Sequence, residues 1–174
     1  MNLNGYTLKA VKTMETMNGI AYSGNIYFGG KKVAFAYNDG RGSETVVDVS
    51  DDIADYETHD SVLTEAFVGR LFDLHDNEKI FKSGTKNKPD MGVAFVTITN
   101  PFRMKNYICS KAITVDDVAE CVLKSTPGCN IESIEIFRSL DDFNIEESQQ
   151  QEMDDGGPDF ADDPGEDAGG MTMQ

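Results

Sequence analysis

The chain has no tryptophan, only two histidines and only three cysteines in 174 residues, and each shortage removes a class of function. Cys109, Cys121 and Cys129 are odd in number and include no C-x-x-C pair, which argues against a disulfide framework and a four-ligand zinc site. They read as reduced, mostly buried small hydrophobes of a protein kept in a reducing compartment. His59 and His75 stand sixteen residues apart, at the two ends of one expected helix. A helix separates such positions by about 24 Å, too far for one metal ion. Neither lies in an H-x-x-x-H or H-E-x-x-H pattern, and His75 beside Asp76 reads as a helix-end residue meeting the dipole. No G-x-S-x-G elbow and no local Cys–His pairing is present. Gly40-Arg41-Gly42 follows a strand but precedes no helix, so it reads as a hairpin turn rather than a phosphate loop. No apolar run approaches the ~20 residues of a membrane span. The opening Met1-Asn2-Leu3-Asn4-Gly5 lacks the basic start and apolar core of a signal peptide. The expectation is a cytoplasmic binding protein, not an enzyme, with no cofactor, no metal and no membrane partner.

Positive charge is the other shortage, and it is local. The formal net charge is −16. Residues 1–50 carry five basic and four acidic side chains, and residues 51–140 carry ten and fifteen. Residues 141–174 carry twelve acidic and no basic side chains, so a nearly balanced body precedes an anionic tail. From residue 146 onward Gln, Asp, Glu, Gly and Pro dominate, too few apolar groups to offset the entropy of ordering. The expected organisation is a single domain over 1–145 and a disordered acidic tail over 146–174. Thirty flexible residues would span about 30 Å, against a radius of gyration near 14 Å for the body. Such a tail reaches any face of its own domain.

What remains reads as an α+β domain. Tyr6, Leu8 and Ala10 alternate with Thr7 and Lys9, the period of a half-buried strand. Residues 20–28 and 33–37 form further strands joined at Gly29-Gly30, a pair suited to a two-residue hairpin. Residues 38–42 turn the chain into a short strand at 45–49, completing a four-stranded antiparallel meander. A helix follows, capped by Asp60 or Ser61, with Leu63, Phe67, Leu71 and Leu74 on an apolar stripe flanked by Val62, Ala66 and Phe72. Residues 92–99 are apolar enough for a central strand, and 105–110 return beside it. Thr114 opens a second helix, with Asp117 completing a capping box. A strand at 131–137 comes last, and a turn at 139–143 should tuck Leu140 and Phe143 onto the body. The two helices are expected to cover one face of one antiparallel sheet.

Two residue sets are candidates for contact with a partner. The carboxylates Asp51, Asp52, Asp55, Glu57 and Asp60, beside Asp48, lack the D-x-D-x-D-G order of a calcium loop and form a solvated acidic connector. With Asp154, Asp155, Asp162 and Asp163 of the tail they could occupy a cationic channel built for nucleic acid. The second set is Lys9, Lys12, Tyr22, Tyr27, Lys31, Lys32 and Arg41, with Tyr6 and Tyr37 nearby, a mixture of cations and stacking rings suited to a single strand. Lysines at Lys79, Lys82, Lys86 and Lys88, and Arg103 with Lys105, read as solubilising groups at element ends.

The turn-rich run of Asn4-Gly5-Tyr6-Thr7, Asn18-Gly19-Ile20, Gly24-Asn25-Ile26-Tyr27-Phe28-Gly29-Gly30-Lys31-Lys32-Val33 and Asn38-Asp39-Gly40-Arg41-Gly42, closing in Ser139-Leu140-Asp141-Asp142-Phe143-Asn144-Ile145, resembles small proteins of phages and mobile elements in Gram-positive bacteria. Some of these are type II anti-CRISPR proteins. The likeness covers residues 1–145 and assigns no site residue. It implies a bacterial cytoplasm and inhibition of a host nucleic-acid-handling defence complex, a Cas9–guide RNA complex being the sharpest candidate. The alternative is a single-strand DNA-binding or replication accessory protein with a regulatory tail.

Overall fold

A computed structural model describes residues 1–100 and 102–146. Five strands come first: β1 (Asn2–Leu3), β2 (Tyr6–Glu15), β3 (Ile20–Phe28), β4 (Lys31–Asn38) and β5 (Val46–Val49). The last four form the expected antiparallel meander. Asn4 and Gly5, at φ 49° and 87°, turn β1 into β2, and Gly29-Gly30 at 54° and 81° turn β3 into β4. Both pairs take the left-handed backbone that two-residue hairpins need. At the far edge β9 (Asn144–Ile145) lies parallel to β1. The first sheet therefore has six strands in the order β5-β4-β3-β2-β1-β9.

The acidic connector turns helical only at its end. Helix α1 (Tyr56–Val62) contains Asp60 and Ser61, and a separate helix α2 (Glu65–Gly84) begins only at Thr64, whose side chain accepts from Phe67 N–H. The expected cap at Asp60 or Ser61 is thus corrected to Thr64. The apolar stripe conceals the break, because Leu63 is buried in the same core as Leu71 and Leu74 although it lies between the helices. His59 accordingly sits inside α1, and His75 in the middle of α2 rather than at a helix end.

The later strands β6 (Met91–Thr99), β7 (Arg103–Ser110) and β8 (Asn130–Phe137) form their own antiparallel sheet, ordered β7-β6-β8, rather than extending the first. Helix α3 (Val115–Ser125) has the predicted capping box, in which Thr114 Oγ1 accepts from Asp117 N–H and the Asp117 carboxylate accepts from Thr114 N–H at 3.0 Å. A 3-10 turn at Asp141–Phe143 precedes β9.

Alternation along β6 explains why two sheets form. Val93 and Phe95 enter one core while Ala94, Val96 and Ile98 enter another, so this strand is buried on both faces. The first core gathers Leu8, Ile26 and Ala34 of the six-stranded sheet, Val68, Leu71, Leu74 and Phe81 of α2, and Val93, Phe95 and Phe137 of the second sheet. Helix α2 is thereby packed between the sheets. Val118 and Val122 of α3 close the opposite face of the three-stranded sheet, together with Cys109 and Cys129. Each fully buried Leu or Val contributes roughly 1.5–3 kcal/mol. Arg70 of α2 forms a bidentate pair with Glu135 of β8, Nη1 lying 2.9 Å from one carboxylate oxygen. Cys121, by contrast, is exposed, and Leu140 is 46% exposed instead of tucked in. Among the described residues no helix is long and apolar enough to cross a membrane. The acidic run 147–174, expected as a disordered tail and carrying Asp154, Asp155, Asp162 and Asp163, lies outside the described residues.

Candidate functional site

The inner face of the six-stranded sheet is committed to the core, so its outer face defines the open surface. Two bulges decide what that face carries. Lys9 and Lys12 are three residues apart, and a regular strand would point them in opposite directions. They pair with Asn25 and Ser23, only two residues apart, so the extra residue puts both lysines on one side. Ala10 supplies the irregularity at φ 53°. In β4 the same happens around Val33, since Lys32 pairs with Tyr27 while Ala34 pairs with Ile26. Lys32 and Phe35 thereby share a side. Phe35 and Tyr37 pair with Asn25 and Ser23.

The outcome is a surface of alternating cations and rings. Lys9 Nζ lies 4.3 Å from the Tyr27 ring centroid and Lys32 Nζ lies 5.8 Å from that of Phe35. The Phe35 and Tyr37 rings are 6.1 Å apart. Lys9, Lys12, Lys32 and Tyr37 are exposed, and Tyr27 and Phe35 are half-buried. Cations at this range from ring faces gain a quadrupole interaction, and the lysines stay poised above a stacking surface.

Four of the seven sequence-derived residues, Lys9, Lys12, Tyr27 and Lys32, therefore converge. Tyr22 does not: its ring packs 4.3 Å from Phe72 of α2 and its hydroxyl is 2.6 Å from Thr45 Oγ1. Arg41 sits in the turn after β4, its N–H donating to the Asp39 carboxylate. Lys31 belongs to the Gly29-Gly30 hairpin, opposite Phe28. Phe35 joins the face although the sequence reading passed over it, because the bulge at Val33 hides its alternation with Lys32.

The acidic set splits in two. Asp48, Asp51, Asp52, Asp55, Glu57 and Asp60 are all exposed. The Tyr56 phenol is pushed above its ordinary range by Asp60 first, with burial, Asp51 and Asp48 adding to it, so it feels the charge of these three carboxylates. Asp52 and Asp55 instead line a cavity shared with Lys31 and Lys32. Among the described residues no three His, Cys, Asp or Glu side chains are grouped to hold a metal ion.

No family model, no curated protein and no solved structure matches this chain.

Proposed function

We propose that the protein binds single-stranded nucleic acid across the outer face of its six-stranded sheet, without catalysis. The observation that carries this reading is the bulge-aligned set Lys9, Lys12, Tyr27, Lys32, Phe35 and Tyr37 on one uncovered face. Rings at strand spacing stack successive bases whatever their identity, while lysines between them meet the phosphates.

The test is fluorescence anisotropy of a labelled oligothymidine with the full chain over a salt series. Each phosphate met on a single strand contributes roughly −0.7 to the slope of log affinity on log salt. The triple variant Lys9→Gln, Lys12→Gln, Lys32→Gln should lower the slope by about 2. Tyr27→Ala and Phe35→Ala should each lose about 1–3 kcal/mol of binding. Absence of binding at low salt, or a triple variant with the parent's slope, refutes the reading.

The carboxylates around Tyr56 favour a second reading, in which an acidic surface occupies the positive channel of a nucleic-acid-handling complex such as a guide-loaded Cas9-type effector. Neutralising Asp48, Asp51 and Asp60 to Asn should then abolish capture of that complex, while the lysine variant leaves capture unchanged.

A further inference from the structure

A cavity of about 640 Å³ opens between the Gly29-Gly30 hairpin and α1, within the roughly 300–1,000 Å³ of small-molecule sites. Its floor is aromatic. The Phe28 ring lies 4.8 Å from Tyr6 and 5.1 Å from His59, centroid to centroid, and remains 41% exposed. Gly5 lets the ring sit there, because a Cβ on Gly5 would come within 2.6 Å of Phe28 Cε2.

His59 supplies the polar group at this floor. It is only 6% exposed, and Nδ1 lies 2.7 Å from the Tyr6 hydroxyl. Nε2 has no partner among the described residues. Yet no enclosed side-chain nitrogen or oxygen among the described residues lacks one. Nε2 therefore keeps some exposure, and His59 is one of the residues that line the cavity. Burial pushes the Tyr6 phenol above its ordinary range, so at neutral pH it retains its proton and can fix the tautomer of the ring it touches.

The walls have opposite charge, with Lys31 on the hairpin, opposite Phe28, and Asp52 and Asp55 on the approach to α1. Asp55 is held at φ 62° and its side chain makes no cap to α1. A left-handed non-glycine residue costs about 1–2 kcal/mol, and here that cost secures no helix cap.

We propose that this cavity binds a mononucleotide, its base against Phe28 and hydrogen-bonded to His59 Nε2, its phosphate at Lys31, and its ribose hydroxyls on Asp52 and Asp55. One ligand thereby accounts for the ring, the unpartnered imidazole nitrogen and the opposed charges. Carboxylates accept from ribose hydroxyls as they do in dinucleotide-binding folds. The site is separate from the open sheet face: Lys32 borders both, but its ammonium lies on the sheet face near Phe35.

Isothermal titration of the full chain with adenosine 5′-monophosphate tests the assignment, with adenosine, ribose 5-phosphate and inorganic phosphate as comparison ligands. The whole nucleotide should bind at least roughly tenfold more tightly than any part of it. Lys31→Gln should weaken the monophosphate roughly tenfold and leave adenosine unchanged. Asp55→Asn, which keeps a residue tolerant of positive φ, should weaken ribonucleotide but not the 2′,3′-dideoxy analogue. Lys9→Gln with Lys12→Gln should weaken oligonucleotide and leave the monophosphate unaffected, so this site and the sheet-face reading fail separately. No heat of binding at millimolar nucleotide, inorganic phosphate binding as tightly as the nucleotide, or affinity indifferent to both Lys31→Gln and Asp55→Asn overturns the proposal.

Discussion

Replacing Phe143 by Ala tests how the two sheets are joined. Phe143 is fully buried, stacked on Phe137 of β8 at 4.1 Å and 14°, and edge-on to Phe81 of α2 at 5.5 Å. It enters from the far side of a short turn in which the Asp142 carboxylate accepts from Ser139 N–H at 3.1 Å and from Ser139 Oγ at 2.9 Å. The next two residues pair with β1, and Asn4 N–H donates to Ile145 C=O at 2.9 Å. Phe143 is thus the apolar anchor where the chain leaves the second sheet to finish the first. Deleting a buried Phe side chain costs about 3–5 kcal/mol in transfer and cavity terms. For a domain stable by about 5–15 kcal/mol, that is a large fraction of the total.

Urea denaturation followed by circular dichroism reads the change as a shift of the midpoint at constant slope, and thermal melting should fall by about 10 °C. Leu140→Ala, three residues earlier, is the internal control: its side chain is 46% exposed, and its cost should stay within about 0.5 kcal/mol. A loss below about 1 kcal/mol at Phe143, or equal losses at the two positions, would refute the placement of this segment in the core.

Two further outcomes follow from local features. Ala10→Gly removes a left-handed alanine costing about 1–2 kcal/mol and adds about 0.4–1 kcal/mol of unfolded-state entropy; a net gain of about 0.5 kcal/mol in urea is expected, and a clear loss would contradict the bulge. His75 is held below its ordinary range by burial first and by Lys79 second. The unfolded state then binds the proton more readily, so stability is fully present above the ordinary histidine range near pH 6.5 and falls as pH drops through the lowered folded value. Urea midpoints of His75→Gln should accordingly decline less than the parent's between pH 7 and pH 5, and parallel declines would count against the shift.

Local chemistry made much of this fold legible. Residues 20–28 were bounded by Asn18-Gly19 on one side and Gly29-Gly30 on the other, and β3 has those limits. Thr114 and Asp117 announced α3 because a capping box satisfies two backbone N–H groups at once. Phe143 was placed on the body because residues 139–143 read as a short turn, although Leu140, expected beside it, is exposed. The division into two sheets was not legible, since β6 reads as a central strand whichever sheet it joins. Pairing of the two-residue strands β1 and β9 rests on a contact across most of the chain, which no local pattern encodes. Asn4-Gly5, in contrast, carried a hairpin signal that was there to be used. The open face was partly legible as composition. Its membership depended on bulges at Ala10 and Val33, where no glycine marks the irregularity, and so Phe35 was passed over; Tyr22, five residues from Tyr27 on the same strand, was already placed on the other face by simple alternation.

Those bulges also resolve an apparent conflict between a net charge of −16 and the proposed binding of an anionic strand. Charges act over about 8 Å at physiological ionic strength, while neighbouring strands are about 4.8 Å apart. Local arrangement therefore outweighs the total. Across the outer face the order is Lys9 and Lys12 on β2, Tyr27 on β3, Lys32 with Phe35 and Tyr37 on β4, then Asp48 on β5 opposite Phe35. The cations lie two strands apart, close enough to act on one phosphate backbone, and the carboxylate bounds them on one side. Beyond it the exposed Asp51 and Asp60, whose charge raises the Tyr56 phenol, extend the repulsive margin. On the proposed function a single strand would be attracted to β2–β4 and repelled at β5, so the strand order gives the face a defined edge as well as a charge. Moving either lysine of β2 to the inner face, as removal of one residue at the Ala10 bulge would do, dismantles this gradient without changing the protein's net charge.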